Sequence, residues 1–288
     1  MAKTAGGLLG PVQIRHLARE LEVNPTKKLG QNFVHDTGTV RRIAALAGVG
    51  PGDQVVEVGP GLGSLTLALL ETGARVTAVE IDPRLAGALE KTVLDYFPDD
   101  AENLRILNED ALKLSSQQLT DPVALVANLP YNVSVPVLLH VLAQFPTIRK
   151  VVVMVQKEVA ERLAATPGSR TYGAPSAKLA WYGTAQMAGA VGRKVFWPEP
   201  NVDSALVVVR AQEPPGDSTL RAETFALVDA AFSKRRKMIR SSLREALGGE
   251  QAAARIMKAA NVEPTSRPEQ LGIHDFVRLG QAKLQFGD

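Results

Sequence analysis

Ala127-Asn128-Leu129-Pro130-Tyr131-Asn132 gathers a side-chain amide, backbone carbonyls and a phenol within six residues, at the end of an apolar run. That set suits an exocyclic amino group on a base. An adenine amino nitrogen is a poor nucleophile because its lone pair is delocalised into the ring. An amide oxygen at Asn128 and a carbonyl at Leu129 that accept its two hydrogens favour a more tetrahedral, nucleophilic nitrogen, and Tyr131 can stack on the base. Taken singly, the same residues describe an ordinary turn after a strand.

What such a nitrogen would attack is suggested upstream. Val55-Val56-Glu57-Val58-Gly59-Pro60-Gly61-Leu62-Gly63-Ser64 reads as a buried strand entering a glycine turn and then a helix. Glycines such as Gly59 and Gly61 let the backbone turn tightly and approach a ligand at the carboxyl end of a strand. Glu80, at the end of the next strand and 21 residues after Gly59, can accept hydrogen bonds from both hydroxyls of a ribose. An adenosine-bearing cofactor is implied, and NAD and S-adenosylmethionine both present that ribose. The glycine spacing is G-x-G-x-G rather than the G-x-G-x-x-G usual for NAD. Asp110, after the third strand, can accept from an adenine amino group, which fits the methyl donor better, although alone it reads as a helix cap.

These groups need a scaffold that brings strand ends together. Strand-like runs occur at 54–58, 75–80, 104–107, 123–127, 149–155, 185–191 and 205–210, with helical stretches between most of them. This alternation predicts a mainly parallel sheet covered by helices. The last two runs have no clear helix between them and read as an antiparallel pair. Ile14, Leu17, Ala18 and Leu21 mark a short amphipathic helix, and 24–33 reads as a polar, basic loop. Pro214, Pro215 and Gly216 mark a linker, after which only helices are expected. The plan is therefore an α/β domain over 1–212, with an N-terminal extension over 1–27, and a small helical domain over 213–288.

Composition narrows the chemistry further. The 288 residues include no cysteine, so thiolate nucleophiles, cysteine zinc sites and disulfides are excluded. The four histidines form no metal-binding spacing, and no metal is expected. The longest apolar runs, such as 151–155, are far short of the roughly 20 residues a bilayer span needs. With no signal-peptide pattern at the N-terminus, the cytoplasm is the expected location and the Asn132-Val133-Ser134 sequon is idle.

Net charge is +3 and unevenly placed. From Arg221 to Asp288 there are 12 Lys+Arg against 8 Asp+Glu, a net of +4, which leaves −1 for the preceding 220 residues. Lys234, Arg235, Arg236, Lys237, Arg240 and Arg244 fall within eleven residues, without an acid, on a segment that reads as helix over 225–247. A phosphate-facing surface is the expectation there, a solvated helix face the bland alternative.

Together these motifs resemble the ribosomal RNA adenine N6,N6-dimethyltransferases, and among them the enzymes acting on small-subunit 16S RNA. The resemblance spans nearly the whole chain. It is carried by Lys28–Asp36, Val56–Gly61, Glu80-Ile81-Asp82, Asn128–Asn132, Gln156–Val159, Phe196–Ser204 and Phe232–Lys237. It implies a Rossmann-like class I S-adenosylmethionine-dependent methyltransferase domain followed by a helical RNA-binding domain. By that resemblance Asn32 and the Val34 backbone close over the methionine end of the donor, Gly59 lines its floor, Glu80 holds the ribose and Asp110 the adenine. Asn128 meets donor and acceptor, while Tyr131 and Phe196 sandwich the target adenine. Val34 departs from the family's usual leucine, which matters little if the backbone makes the contact.

The implied reaction dimethylates two adjacent adenosines in a hairpin loop near the 3′ end of 16S RNA, within immature 30S subunits. Monomer is the default state. The rival readings are a large-subunit methyltransferase of the macrolide-resistance type, a DNA adenine methyltransferase, an assembly factor with secondary catalysis, and a dehydrogenase. The 196–204 and 232–237 stretches favour the small-subunit enzymes.

Overall fold

The computed structural model describes residues 7–23, 32–130 and 133–286. Tyr131 and the 28–31 part of the first motif lie outside them. The chain divides into two compact units, Met1–Ala160 with Gln186–Ala211, and Glu161–Ala185 with Gln212–Asp288.

The first unit begins with α1 (Pro11–Glu20), whose Ile14 and Ala18 point inward as the sequence period predicts. A two-residue strand, β1 (Phe33–Val34), follows where the sequence suggested only loop, because it pairs antiparallel with a distant segment, β8 (Phe196–Trp197). Helix α2 (Thr37–Ala47) starts at Asp36, whose carboxylate accepts from Thr39 N at 2.7 Å, and stops at Gly48 in the left-handed region. Then come β2 (Gln54–Val58), α3 (Ser64–Leu70), β3 (Arg75–Glu80), α4 (Pro83–Tyr96), β4 (Leu104–Asn108), β5 (Ala124–Asn128), α5 (Ser134–Gln144), β6 (Lys150–Gln156) and α6 (Lys157–Leu163). After α7 (Ala174–Ala180) the chain adds β7 (Gly183–Val191), β8 and β9 (Ser204–Ala211).

Seven strands form one sheet in the order β4-β3-β2-β5-β6-β9-β7. The first five of these are parallel, and β9 runs antiparallel to β6. The valine-rich runs of β2, β5 and β6 are buried almost throughout, as strands covered on both faces must be. The two runs expected as an antiparallel pair, β7 and β9, are sheet neighbours, with β8 between them in sequence. Strand order reverses between β2 and β5, which pair directly through Val58 and Ala127. Open α/β sheets bind ligands at the carboxyl ends of strands beside such a reversal. The glycine turn after β2 and Asn128 at the end of β5 both sit there.

The second unit is built from α7, α8 (Ser218–Ser233), α9 (Ile239–Ser242), α10 (Glu250–Ala259) and α11 (Ile273–Phe286). Its core joins Tyr172 and Ala177 to Leu227, Ile239, Ile256, Phe276 and Leu279. The Tyr172 hydroxyl donates to Leu271 O at 3.0 Å, and its ring meets Phe232 edge-on at 5.8 Å. Glu161–Ala185, placed in the first domain from the sequence, therefore groups with the C-terminal helices. The apolar side chains of that segment find their partners there, and no local pattern announces it.

One helix is corrected. The expected helix over 225–247 ends at Ser233, and 234–238 is a turn before the short α9. Two backbone bonds from distant residues take over, Ile239 N to Ser266 O at 2.7 Å and Arg240 N to Pro264 O at 3.1 Å. Tertiary partners thus replace the helical ones.

Candidate active site

A cavity of about 260 Å³ opens at the carboxyl ends of β2, β3, β4 and β5. Its floor is the glycine turn. Gly59, Gly61 and Gly63 have φ of 70°, 58° and 96°, a region that side-chain-bearing residues avoid. At Gly61 an added Cβ would also lie 3.0 Å from the Phe33 ring, so the cradle closes on β1 as well.

Glu80 is held where the sequence puts it. It is buried, Oε2 accepts from Gly61 N at 3.2 Å, and Oε1 accepts from Asp82 N at 3.0 Å. Both oxygens are aimed by backbone, and the carboxylate edge faces the cavity. Burial raises its pKa above the ordinary range, against which the backbone bonds work. Asp110 lines the same cavity and caps a short 3-10 turn, accepting from Leu112 N at 2.9 Å through Oδ1. The cap bond engages Oδ1 of a side chain that also lines the cavity. Ile81 and Leu112 are apolar, largely exposed and in the cavity wall, the pattern of side chains that would cover a flat ring.

Asn128 ends β5, and its Nδ2 donates to Asn32 O at 3.1 Å, a contact across 96 residues. That bond takes Nδ2 and leaves Oδ1 as the acceptor end of the carboxamide. Leu129 donates its N–H to Met154 O at 3.1 Å and lines the cavity with Pro130. Asn32, just before β1, and Val34 within it also line the cavity, and the Val34 carbonyl accepts from the Ser64 hydroxyl at 2.6 Å. Residues far apart in sequence, Asn32, Val34, Gly59, Gly61, Glu80, Asp110 and 128–130, thus surround one cavity.

Two groups of expected residues stand elsewhere. Phe196 is 3% exposed, packs in the core of the first unit and pairs with Val34 rather than lining the cavity. In this conformation its ring has no open face for a base. Among the basic residues, Lys234, Arg236, Lys237, Arg240 and Arg244 are exposed, whereas Arg235 is partly buried and engaged. Its Nε meets Glu269 at 2.9 Å and an Nη donates to Arg170 O at 2.7 Å.

The wall also holds two acids outside the expected set, Glu57 and Glu109. Glu57 is buried in β2 and lines the cavity. An acid inside the apolar run Val55-Val56-Glu57-Val58 was the available signal. With them, the wall holds four carboxylates, Glu57, Glu80, Glu109 and Asp110, and no Lys, Arg or His among the described residues. Such a wall opposes a pyrophosphate and welcomes a cation. S-adenosylmethionine, with a ribose, an adenine and two positive groups, fits the residues present.

Comparison with known proteins agrees. The family model described as ribosomal RNA adenine dimethylase matches residues 23–281. A protein named Ribosomal RNA small subunit methyltransferase A from Thermobifida fusca is 57% identical over 274 residues, 95% of this chain and 96% of its own. Its namesake from Cutibacterium acnes is 54% identical over 286 residues, covering 98% and 96%. Among solved structures, a dimethyladenosine transferase from Plasmodium falciparum shares the fold with a TM-score of 0.75 at 23% identity, over 88% of this chain and 98% of that one. The 23S rRNA methyltransferase ErmE gives 0.64 at 26%, over 87% and 99%.

Proposed function

The chain belongs to the ribosomal RNA adenine dimethylase family, and we propose from that premise that it methylates N6 of two adjacent adenosines in the 3′-terminal hairpin loop of 16S rRNA. Its substrate is the immature 30S subunit, each adenosine becomes N6,N6-dimethyladenosine, and the enzyme acts as a cytoplasmic monomer with a part in subunit biogenesis. The observation that carries the donor's identity is the carboxylate-lined, cation-free cavity at the β2–β5 reversal. When bound, S-adenosylmethionine supplies a methyl group on a sulfonium sulfur, open to in-line attack by an adenine nitrogen.

The chain's own part is to hold and orient. Glu80 fixes the ribose and Asp110 the adenine edge of the donor. Asn128, pinned through Nδ2 to Asn32 O, presents Oδ1 to one amino hydrogen of the target adenine, and the Leu129 carbonyl takes the other. Tyr131 supplies the stacking face for a base that has left its own stack. Phe196 joins it only if β8 separates from β1, since it is now core. No side chain is needed as a strong base, because a methylated N6 is cationic and acidic and gives its proton to water. The exposed Lys234, Arg236, Lys237, Arg240 and Arg244 hold RNA phosphates and supply affinity rather than base identity.

The deciding experiment offers labelled S-adenosylmethionine with small subunits lacking the modification, large subunits and duplex DNA in parallel, followed by mass analysis of nucleosides. Dimethyladenosine confined to 16S rRNA is the expected result. Label in 23S rRNA would instead place the chain with the resistance-type enzymes, and tight subunit binding without transfer would make it an assembly factor.

A further inference from the structure

Asp110, Ala111 and Leu112 stand on the wall assigned above to the donor's adenine, yet no strand or long helix carries them. They follow β4 on one 3-10 turn, Ala111–Lys113 with Asp110 as its cap, closed by Lys113 N donating to Asp110 O at 2.8 Å. A turn of three residues has too few bonds of its own to keep a shape. Its anchors lie on either side. Before it, Glu109 accepts from the Gln118 amide, whose Oε1 accepts from Ser115 N at 2.7 Å. After it, the buried Leu114 turns its carbonyl to His140, 2.8 Å from Nε2.

A carbonyl oxygen can only accept, so Nε2 of His140 carries a hydrogen and donates it. The neutral ring with its hydrogen on Nε2 and the imidazolium both meet that requirement, so the bond needs no particular charge. His140 is half-buried on α5, 26 residues from Leu114 and one turn beyond Val137, which lines the cavity. It does not line the cavity itself. The helix is a firm support, eleven residues long, with Val137, Leu138, Val141 and Leu142 buried. Losing the imidazole would leave the Leu114 carbonyl without that N–H at a part-buried position, where an unmet acceptor is costly, and the turn would shift to find another.

We propose that His140 is a positioning residue for the methyl donor: by holding Leu114 O it fixes the turn that presents Asp110 and Leu112, and so sets affinity for the adenine half of S-adenosylmethionine. This inference rests on the S-adenosylmethionine reading above. His140 stands outside the cavity wall, so its effect passes through one hydrogen bond and the backbone from Leu112 to Leu114. Because α5 leads directly out of the 128–133 segment, the same bond ties the adenine wall to the element that follows Asn128 and Leu129.

Calorimetric titration of the full chain with S-adenosylhomocysteine, and with its analogue bearing a carbonyl where adenine has the amino group, tests this. Wild type should prefer the adenine ligand. His140→Ala should bind the adenine ligand about five- to tenfold more weakly, the scale of one hydrogen bond, and the carbonyl analogue as wild type does. His140→Gln, whose Nε2 can reach the same carbonyl, should restore most of the preference. Turnover at saturating S-adenosylmethionine should stay within about twofold of wild type in both variants, the loss appearing in KM. Should His140→Ala fail to fold, His140→Leu keeps the bulk without the N–H and is read in its place. An adenine preference unchanged in the variant lacking the N–H overturns the proposal, and so does an equal loss for both ligands, which marks general damage. Failure of wild type to bind either ligand would be a different result, the failure of the S-adenosylmethionine reading itself.

Discussion

The two ends of the Asn128 carboxamide have separate tasks. Nδ2 ties β5 to Asn32 O, and in the proposed reaction Oδ1 meets the substrate. Replacing Asn128 with Ala removes an acceptor that matters when the amino nitrogen is polarised and its charge develops. We expect turnover to fall on the order of a hundredfold, the scale seen when one pre-organised polar contact is removed. Donor affinity should change only a few-fold, because Glu80 and Asp110 stay in place. Single-turnover transfer beside donor titration separates the two, and equal losses would assign Asn128 to donor binding alone. Residues of this kind were legible in the sequence because their spacing from strand ends is fixed by the fold. Glu57 was overlooked because one acid in an apolar strand carries no spacing. The burial of Phe196 was not legible, because only the pairing of β8 with β1 places its ring in the core.

Charge on the 234–244 segment is divided by structure, not by residue type. Arg236 and Lys237 are exposed on the turn after α8, whereas Arg235 bridges that turn to Glu269 and to the carbonyl of Arg170. Exchanging Arg236 and Lys237 together for Ala should leave thermal unfolding unchanged and lower the slope of log affinity for 16S rRNA against log salt by about 1.5, at roughly 0.7–0.9 per phosphate contact. Arg235→Ala should do the reverse, lowering the unfolding midpoint with little change in slope. Filter binding across a salt series and scanning calorimetry read these outcomes; a slope unmoved by the double substitution would remove the turn from the RNA interface. The seven strands of the main sheet were readable to within two residues because runs of β-branched residues have few alternatives, whereas the two-residue β1 and β8 were not, since only their mutual pairing defines them. The end of α8 was not, since the bonds of Ile239 and Arg240 to Ser266 and Pro264 span more than twenty residues.

For the molecule as a whole, the acids of the cavity set a dependence of stability on pH. The folded value for Glu57, about 8, lies above the ordinary carboxylate value that applies when the chain unfolds. Between these two values the folded state holds the extra proton, so its stability is full below the lower one and falls as pH rises towards the higher. Glu80 is shifted in the same direction. Without donor, the first unit should melt roughly 5–10 °C lower at pH 8 than at pH 5 through Glu57 alone, the equivalent of a few kcal/mol. Glu57→Gln should flatten most of that slope. A midpoint that rises with pH in both proteins would show that Glu57 ionises freely in the folded state.

The chain enters the second unit at residue 161, leaves it at 185 and returns at 212. That itinerary has a consequence for how the gene can be cut. A fragment beginning at 212 would lack Tyr172, leaving the Leu271 carbonyl without its hydroxyl donor and a ring-sized gap beside Phe232. A fragment ending at 211 would carry Tyr172 and Ala177 with nothing to cover them. Neither piece is a cassette that could be grafted between relatives by one crossover. Exchange of the second unit within this architecture requires three coordinated junctions, at 160/161, 185/186 and 211/212.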